Sequence, residues 1–387
     1  MVDYINKRLN NISISGIRRY TALALAQKDC ISLTIGQPDI DTPWPVQEAA
    51  INAIRTGNNH YTTNQGEINL RRCICEYEAN HRGIYYSPEE IIITAGGTEA
   101  IYCALTGILD PGDEVIIPVP AFGLYETVVK LSGATPIYLD TSHSNFRITY
   151  GDLIKRITPR TKALVLNSPN NPTGIVYTHE EIEEISCAVG DKPIFILCDD
   201  VYRYLCQSPC PDIALMRHLR NRLLIAQSFS KPWAMTGWRV GYLLGDNSVI
   251  EKLNVLHGHT ITCAASVLQI ACETALKTDI SDVRKMYGRR RELVLNRMRE
   301  MGLYYPEPQG AFFVFPDISS FGLSSEDFCR RMITEARVAA VPGSCFGTEG
   351  HIRLSYCSDV EKLKLGMDRL EWFLNKLAGE NKTELRR

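Results

Sequence analysis

Residues Leu223 to Gly245 read LLIAQSFSKPWAMTGWRVGYLLG. Two apolar runs, Leu223 to Ala226 and Val240 to Leu244, have the composition of buried strands, and the polar segment between them holds a single lysine, Lys231. Ser228 and Ser230 precede it and Arg239 follows it. Hydroxyl donors and a planar guanidinium beside an amine suit a ligand that carries both a phosphate and a carbonyl, and pyridoxal 5'-phosphate is such a ligand. The amine would condense with its aldehyde while Ser228 and Arg239 hold its phosphate. A lone loop lysine ordinarily points into water, so the argument rests on the residues around it.

Outward from this segment, short apolar runs alternate with helical stretches: IIIT (Ile91 to Thr94), EVIIP (Glu114 to Pro118), PIYL (Pro136 to Leu139), ALVLN (Ala163 to Asn167) and IFILC (Ile194 to Cys198). Together with the two runs flanking Lys231 they predict a mainly parallel, seven-stranded sheet covered on both faces. The helix over 178–189 opens with Thr178 and Glu181 in capping-box spacing. Upstream, residues 17–27, 46–56 and 69–81 read as helices, and Pro38, Pro43 and Pro45 keep the intervening chain irregular. Beyond about Ser281 the texture changes to a long charged helix (282–301), a strand pair including AFFVFP, and amphipathic helices around 327–336 and 359–377. That predicts a smaller α+β domain, and the expected division is 1–45, 46–280 and 281–387.

The chain has 387 residues, 45% of them hydrophobic, enough to bury a large core. Its 42 basic and 44 acidic residues leave a formal charge of −2, which gives no bulk reason to expect nucleic acid or an anionic membrane as partner. No apolar run approaches a membrane span, and the start, MVDYINKRLNNISISG, lacks the apolar core of a signal peptide, so a cytoplasmic location is expected. Several of the 13 cysteines (Cys103, Cys187, Cys198, Cys263, Cys272) fall in apolar stretches, as small core residues of a reducing compartment do. The pairs Cys73/Cys75 and Cys206/Cys210 come without a second ligand pair, so no metal is expected. The charged tail, Gly379 to Arg387, is expected to fray.

The string SFSKPWAMTGWRVGY resembles the cofactor-lysine segment of the class I aminotransferases, pyridoxal-phosphate enzymes of fold type I. The likeness extends over nearly the whole chain, from SLTIGQPDIDTP (Ser32 to Pro43) through NSPNNPTG (Asn167 to Gly174) to HIRLSY (His351 to Tyr356). Within the class the chain is most similar to the bacterial and archaeal branch of aminotransferase A and the aromatic and aspartate aminotransferases. This resemblance implies that Lys231 is the Schiff-base lysine, that Arg239 binds the phosphate, and that the N-terminal segment packs with the small domain.

In open parallel sheets ligands bind beyond the carboxyl ends of the strands. IIIT runs into AGGTEA, where glycines admit a close backbone approach and the next helix offers its first N–H groups to an anion. The resemblance gives Gly97 and Thr98 to the phosphate. ALVLN runs into NSPNNPTG, whose Asn171 the family motif places against the cofactor's ring hydroxyl and near the substrate carboxylate; a rigid Asn-Pro turn is the bland alternative. Asp199 follows IFILC directly, where an unpaired charge is costly. A protonated pyridine nitrogen would be its partner, and a helix-capping aspartate is the alternative. Tyr202 would bond the ring oxygen. The family usually has Asp-Glu here; this chain has Asp199-Asp200.

Phe122, in PAFGLY, matches the ring that stacks on the pyridine, though a core aromatic would read the same. Arg353, in the alternating strand HIRLSY, would in isolation point to solvent; the motif makes it the clamp for the substrate α-carboxylate, with Gly36 adding backbone contact. Tyr61 resembles the tyrosine that reaches the neighbouring subunit's cofactor, which implies a homodimer with shared active sites.

The expected protein is therefore a fold type I aminotransferase that moves an amino group from an amino acid to a 2-oxo acid such as 2-oxoglutarate. Catalysis is assigned to Lys231, Asp199 and Tyr202. Two other readings share the fold: a carbon–sulfur β-lyase, and the effector domain of a regulator, for which only the short stretch before Ser32 would supply a DNA-binding domain. Aromatic amino acids, aspartate and an acetylated diaminopimelate stand as candidate donors.

Overall fold

A computed structural model describes residues 5–384. In chain order its main elements are α1 (Gly16–Leu25), β1 (Ile31–Ser32), α2 (Trp44–Arg55), α3 (Ile68–Arg82), β2 (Ile91–Thr94), α4 (Gly97–Ile108), β3 (Glu114–Val119), α5 (Leu124–Leu131) and β4 (Thr135–Asp140). Then come α6 (Tyr150–Arg156), β5 (Thr161–Asn167), α7 (His179–Val189), β6 (Phe195–Asp199), β7 (Leu223–Ser228), β8 (Gly241–Gly245), α8 (Asn247–Ile261), α9 (Ser266–Lys277) and α10 (Ser281–Glu300). The last part holds β9 (Phe313–Val314), α11 (Ser325–Arg331), β10 (Val338–Ala339), β11 (Val341–Pro342), β12 (Ile352–Ser355) and α12 (Val360–Glu384).

The seven expected apolar runs form one sheet in the order β2-β8-β7-β6-β5-β3-β4. Only β8 runs against the rest, pairing antiparallel with both β2 and β7. Burial explains the composition: every residue of β2, β7 and β8 is buried, so these strands read as continuous apolar runs rather than alternating ones. One face packs on α2, α3, α7 and α9 through residues such as Leu70, Ile185 and Cys272. The other packs on α4, α5 and α8 through Ala104, Val129 and Leu253. The result is the mainly parallel, seven-stranded sheet covered on both faces that the apolar runs predict.

Strand limits differ from the apolar runs by a residue or two, because hydrogen bonding continues past the last apolar side chain. The consequence matters at β6: Asp199 is the last residue of the strand, in register with Asn167 of β5 and Ala226 of β7. α7 has the expected capping box, in which Thr178 accepts from the Glu181 amide and Glu181 from the Thr178 amide at 2.7 Å.

A second core gathers Tyr20, Ala24 and Leu33 with Phe312, Phe328, Leu354, Leu363 and Phe373. Its edge is stitched by β1 lying parallel to β10, with Ile31 opposite Val338, and by the bidentate Arg290–Asp39 pair at 2.6 and 2.9 Å. The expected helix over 327–336 is α11 followed by a π-helical turn, Met332–Ala336. The tail expected to fray is helical through Glu384, and its last three residues lie outside the described residues.

Candidate active site

A cavity of about 570 Å³ opens at the carboxyl ends of β5, β6 and β7, and every expected site residue except Tyr61 lines it. Lys231 lies in the turn after β7 and donates from Nζ to the Gly36 carbonyl at 2.7 Å. Loss of hydration holds its amine down to about 8, helped by the Arg239 and Arg353 guanidiniums and opposed by Cys357 and Asp199. An amine so depressed is free base for an appreciable fraction of the time near neutral pH, which an ordinary lysine is not.

Asp199 is 4% exposed and faces the same cavity. Tyr125 donates to its Oδ2 at 2.5 Å and the Val201 amide to its Oδ1 at 3.3 Å, while Asn167 Nδ2 binds its carbonyl at 2.8 Å. Burial nevertheless pushes the carboxyl up to about 6, because these neutral donors replace hydration only in part. No helix starts at Asp199, so the helix-capping alternative fails. Tyr125 escaped the sequence reading. Its signal was a phenol on the buried face of α5, where the hydroxyl must find a partner.

Asp200 points the other way, into a buried ionic cluster. Arg82 meets Asp200 at 2.6 Å, Asp212 at 2.7 Å and Glu78 at 3.0 Å, and Tyr204 and Tyr242 also donate to Glu78, at 2.7 and 2.5 Å. The second acid of the Asp199-Asp200 pair thus anchors the strand end from behind while the first faces the cavity.

The phosphate-type donors line the same cavity. α4 begins at Gly97, preceded by Gly96 with φ +79°. A Cβ on Gly96 would lie 2.6 Å from the Arg239 guanidinium, and one on Gly97 would lie 2.8 Å from Val201, so both glycines are needed where they stand. Arg239 itself has φ +55° and donates to the Thr236 carbonyl at 3.0 Å and the Ala95 carbonyl at 3.3 Å. A non-glycine residue held in this conformation marks a place where position outweighs strain. Ser228 and Ser230 are buried and share a hydrogen bond of 2.9 Å. A helix N-terminus, two hydroxyls and a guanidinium form a donor set for a phosphate.

Arg353 overturns what its strand pattern alone suggested. It is 1% exposed, stacks 4.3 Å from the Phe313 ring centroid, and donates to Asn171 Oδ1 at 2.8 Å and to the Thr34 carbonyl. It makes no ion pair among the described residues, its Nε is buried without a partner, and burial holds its pKa down to about 10. A buried guanidinium without an anion is costly unless a ligand supplies one. Tyr202 is buried edge-on to Phe312 and Phe313, and Phe122 stands half-buried on the wall. Tyr61 stands apart, 86% exposed.

The residues therefore fit pyridoxal phosphate: an amine depressed toward neutrality, a phosphate cradle, and a buried carboxylate lacking a cation. The profile of the family described as aminotransferase class I and II matches residues 28–370, and the chain belongs to that family. It is a pyridoxal-phosphate-dependent aminotransferase. It is 39% identical to aromatic-amino-acid aminotransferase 2 of Thermococcus litoralis and 38% identical to an aspartate aminotransferase of Pyrococcus abyssi, each match covering 95% of this chain and 97% of the relative. Among solved structures, the Thermus thermophilus aspartate aminotransferase with maleate superposes with a TM-score of 0.91 at 33% identity, over 95% of this chain and 99% of that one.

Proposed function

We propose that Lys231, Asp199 and Tyr202 carry the transfer, that Arg353 and Asn171 hold the substrate α-carboxylate with Gly36 beside it, and that Gly97, Thr98, Ser228 and Arg239 hold the phosphate. The single observation that supports this reading is Arg353, buried without an anion in the same cavity as Lys231 and Asp199. When bound, the cofactor supplies an aldehyde that takes up and returns the amino group and a ring that draws electrons from the substrate α-carbon.

The chain's own groups do the rest. Arg353 meets both oxygens of the carboxylate and so fixes which bonds of the α-carbon face Lys231. Lys231, as free amine, would take the α-proton and return it at the cofactor's C4′ carbon. Asp199 holds a proton on the ring nitrogen, and forming that pair would draw its raised pKa down. Asn171 has its carbonyl on Arg353, which leaves its NH₂ to donate to the ring oxygen alongside Tyr202. Phe122 covers one face of the ring.

The working unit on this reading is a cytoplasmic homodimer in which Tyr61 serves the partner's phosphate; its exposure and its place outside the lining of its own cavity support this. The division into 1–45 with 281–387 against 46–280 is supported by the cluster that joins Tyr20, Ala24 and Leu33 to Phe312, Phe328 and Phe373. The donors are aromatic or acidic amino acids, or an acetylated diaminopimelate, with a 2-oxo acid as acceptor. Presented with a donor and no acceptor, the enzyme should stop after one turnover with the cofactor aminated. Continuous release of pyruvate and ammonia from cystathionine would overturn the transfer reading in favour of β-elimination.

A further inference from the structure

Five charged residues line the cavity: Arg18, Asp199, Lys231, Arg239 and Arg353. Four are engaged, Asp199 by Tyr125, Lys231 by Gly36, Arg239 by Ala95 and Thr236, and Arg353 by Asn171 and Thr34. Arg18 has no hydrogen bond or ion pair among the described residues. The next residue shows that this is a matter of direction: Arg19 pairs with Glu326 at 2.6 Å and lies over Tyr20, whereas Arg18 is turned by one helical step onto the face of α1 that lines the cavity with Thr21, Ala22 and Leu25.

Arg18 also stands where the cavity meets a neighbouring one of about 990 Å³, the two sharing Arg18, Ile17, Thr98 and Phe122 on their walls. Around it that wall is apolar or merely hydroxylic, through Ile17, Ile101, Phe122 and Thr98. An uncommitted guanidinium beside apolar surface favours a planar anion that can take two of its N–H groups.

We infer that Arg18 is a specificity-determining residue that binds the second carboxylate of dicarboxylic substrates, so that the acceptor and one donor class are dicarboxylic. The inference rests on the proposed placement of the α-carboxylate at Arg353, in the same cavity that Arg18 lines.

The test is calorimetric binding of glutarate and pentanoate to the cofactor-loaded enzyme, since the pair differs only in the second carboxylate and needs no turnover. Wild type should prefer glutarate by at least about tenfold. That preference should collapse in Arg18→Gln and return in part in Arg18→Lys. Equal absorbance of the bound cofactor in all three proteins certifies that each is folded and loaded. A wild type that binds both acids alike, or an Arg18→Gln variant that keeps the preference, overturns the inference. Failure of transfer itself would show as no amination of the cofactor by any amino acid, a separate result that leaves the glutarate contrast standing.

Discussion

Tyr125 and Asp199 form a buried hydrogen bond of 2.5 Å between the first turns of α5 and the end of β6. Without it the carboxylate would face the cavity with the Val201 backbone amide as its donor. Tyr125→Phe should therefore raise the Asp199 pKa further, weaken its hold on the ring proton, and lower kcat/KM by roughly 10- to 150-fold, a net hydrogen bond to a charged group being about 1.5 to 3 kcal/mol. The acid limb of the pH profile of the variant should move upward. A profile displaced to lower pH would contradict the assignment.

The same carboxylate makes the cofactor-free protein pH-sensitive. Its folded-state pKa is raised from 3.8 to about 6, so the folded chain holds a proton that the unfolded chain has lost. The sign follows: this contribution to stability is fully present below about pH 4 and is lost as pH rises through 6. Asp199→Asn cannot ionise, and should make the cofactor-free protein more stable at pH 8 by on the order of 2 kcal/mol while abolishing transfer. Urea unfolding at pH 5 and pH 8 checks this, with the advantage of the variant expected to shrink at the lower pH.

Arg353→Lys should weaken every substrate alike, whatever its side chain. An ammonium offers a point charge where the guanidinium meets two oxygens, and the loss should be on the order of 2 to 4 kcal/mol, or roughly 30- to 1,000-fold in kcat/KM. Steady-state kinetics with acidic and aromatic donors would show it. Cofactor affinity should barely move, since the phosphate is proposed to be held by Gly97, Ser228 and Arg239, and discrimination between the two donors would place the α-carboxylate elsewhere.

Tyr61→Phe and Lys231→Ala damage different halves of a shared site if Tyr61 reaches across the dimer. Mixed and re-equilibrated, the two variants should form hybrid dimers that contain one intact site and recover activity above either parent. Recovery absent from verified hybrids would keep Tyr61 within its own subunit's business.

The fold was legible because its strands are buried on both faces, which leaves an unbroken apolar run in the sequence at each one. That Lys231, Asp199 and Gly97 would meet in one cavity was legible because each sits where a strand stops. Tyr125, the Arg82 cluster behind Asp200 and the committed state of Arg353 were not, since their meaning lies in contacts across the fold. Arg353 meets Asn171 182 residues away, and a strand that alternates apolar and polar residues says nothing of a second layer burying both of its faces. Arg18 likewise differs from Arg19 only in the direction its place on α1 gives it.

On the proposed reading Lys231 holds the cofactor. Borohydride treatment of the loaded enzyme should fix the cofactor covalently, and peptide mapping by mass spectrometry should find it on the peptide containing Lys231 and nowhere else. Lys231→Ala, which removes no core residue, should fold, remain unlabelled and be inactive. Label on another lysine, or a labelled and active Lys231→Ala protein, would contradict the account.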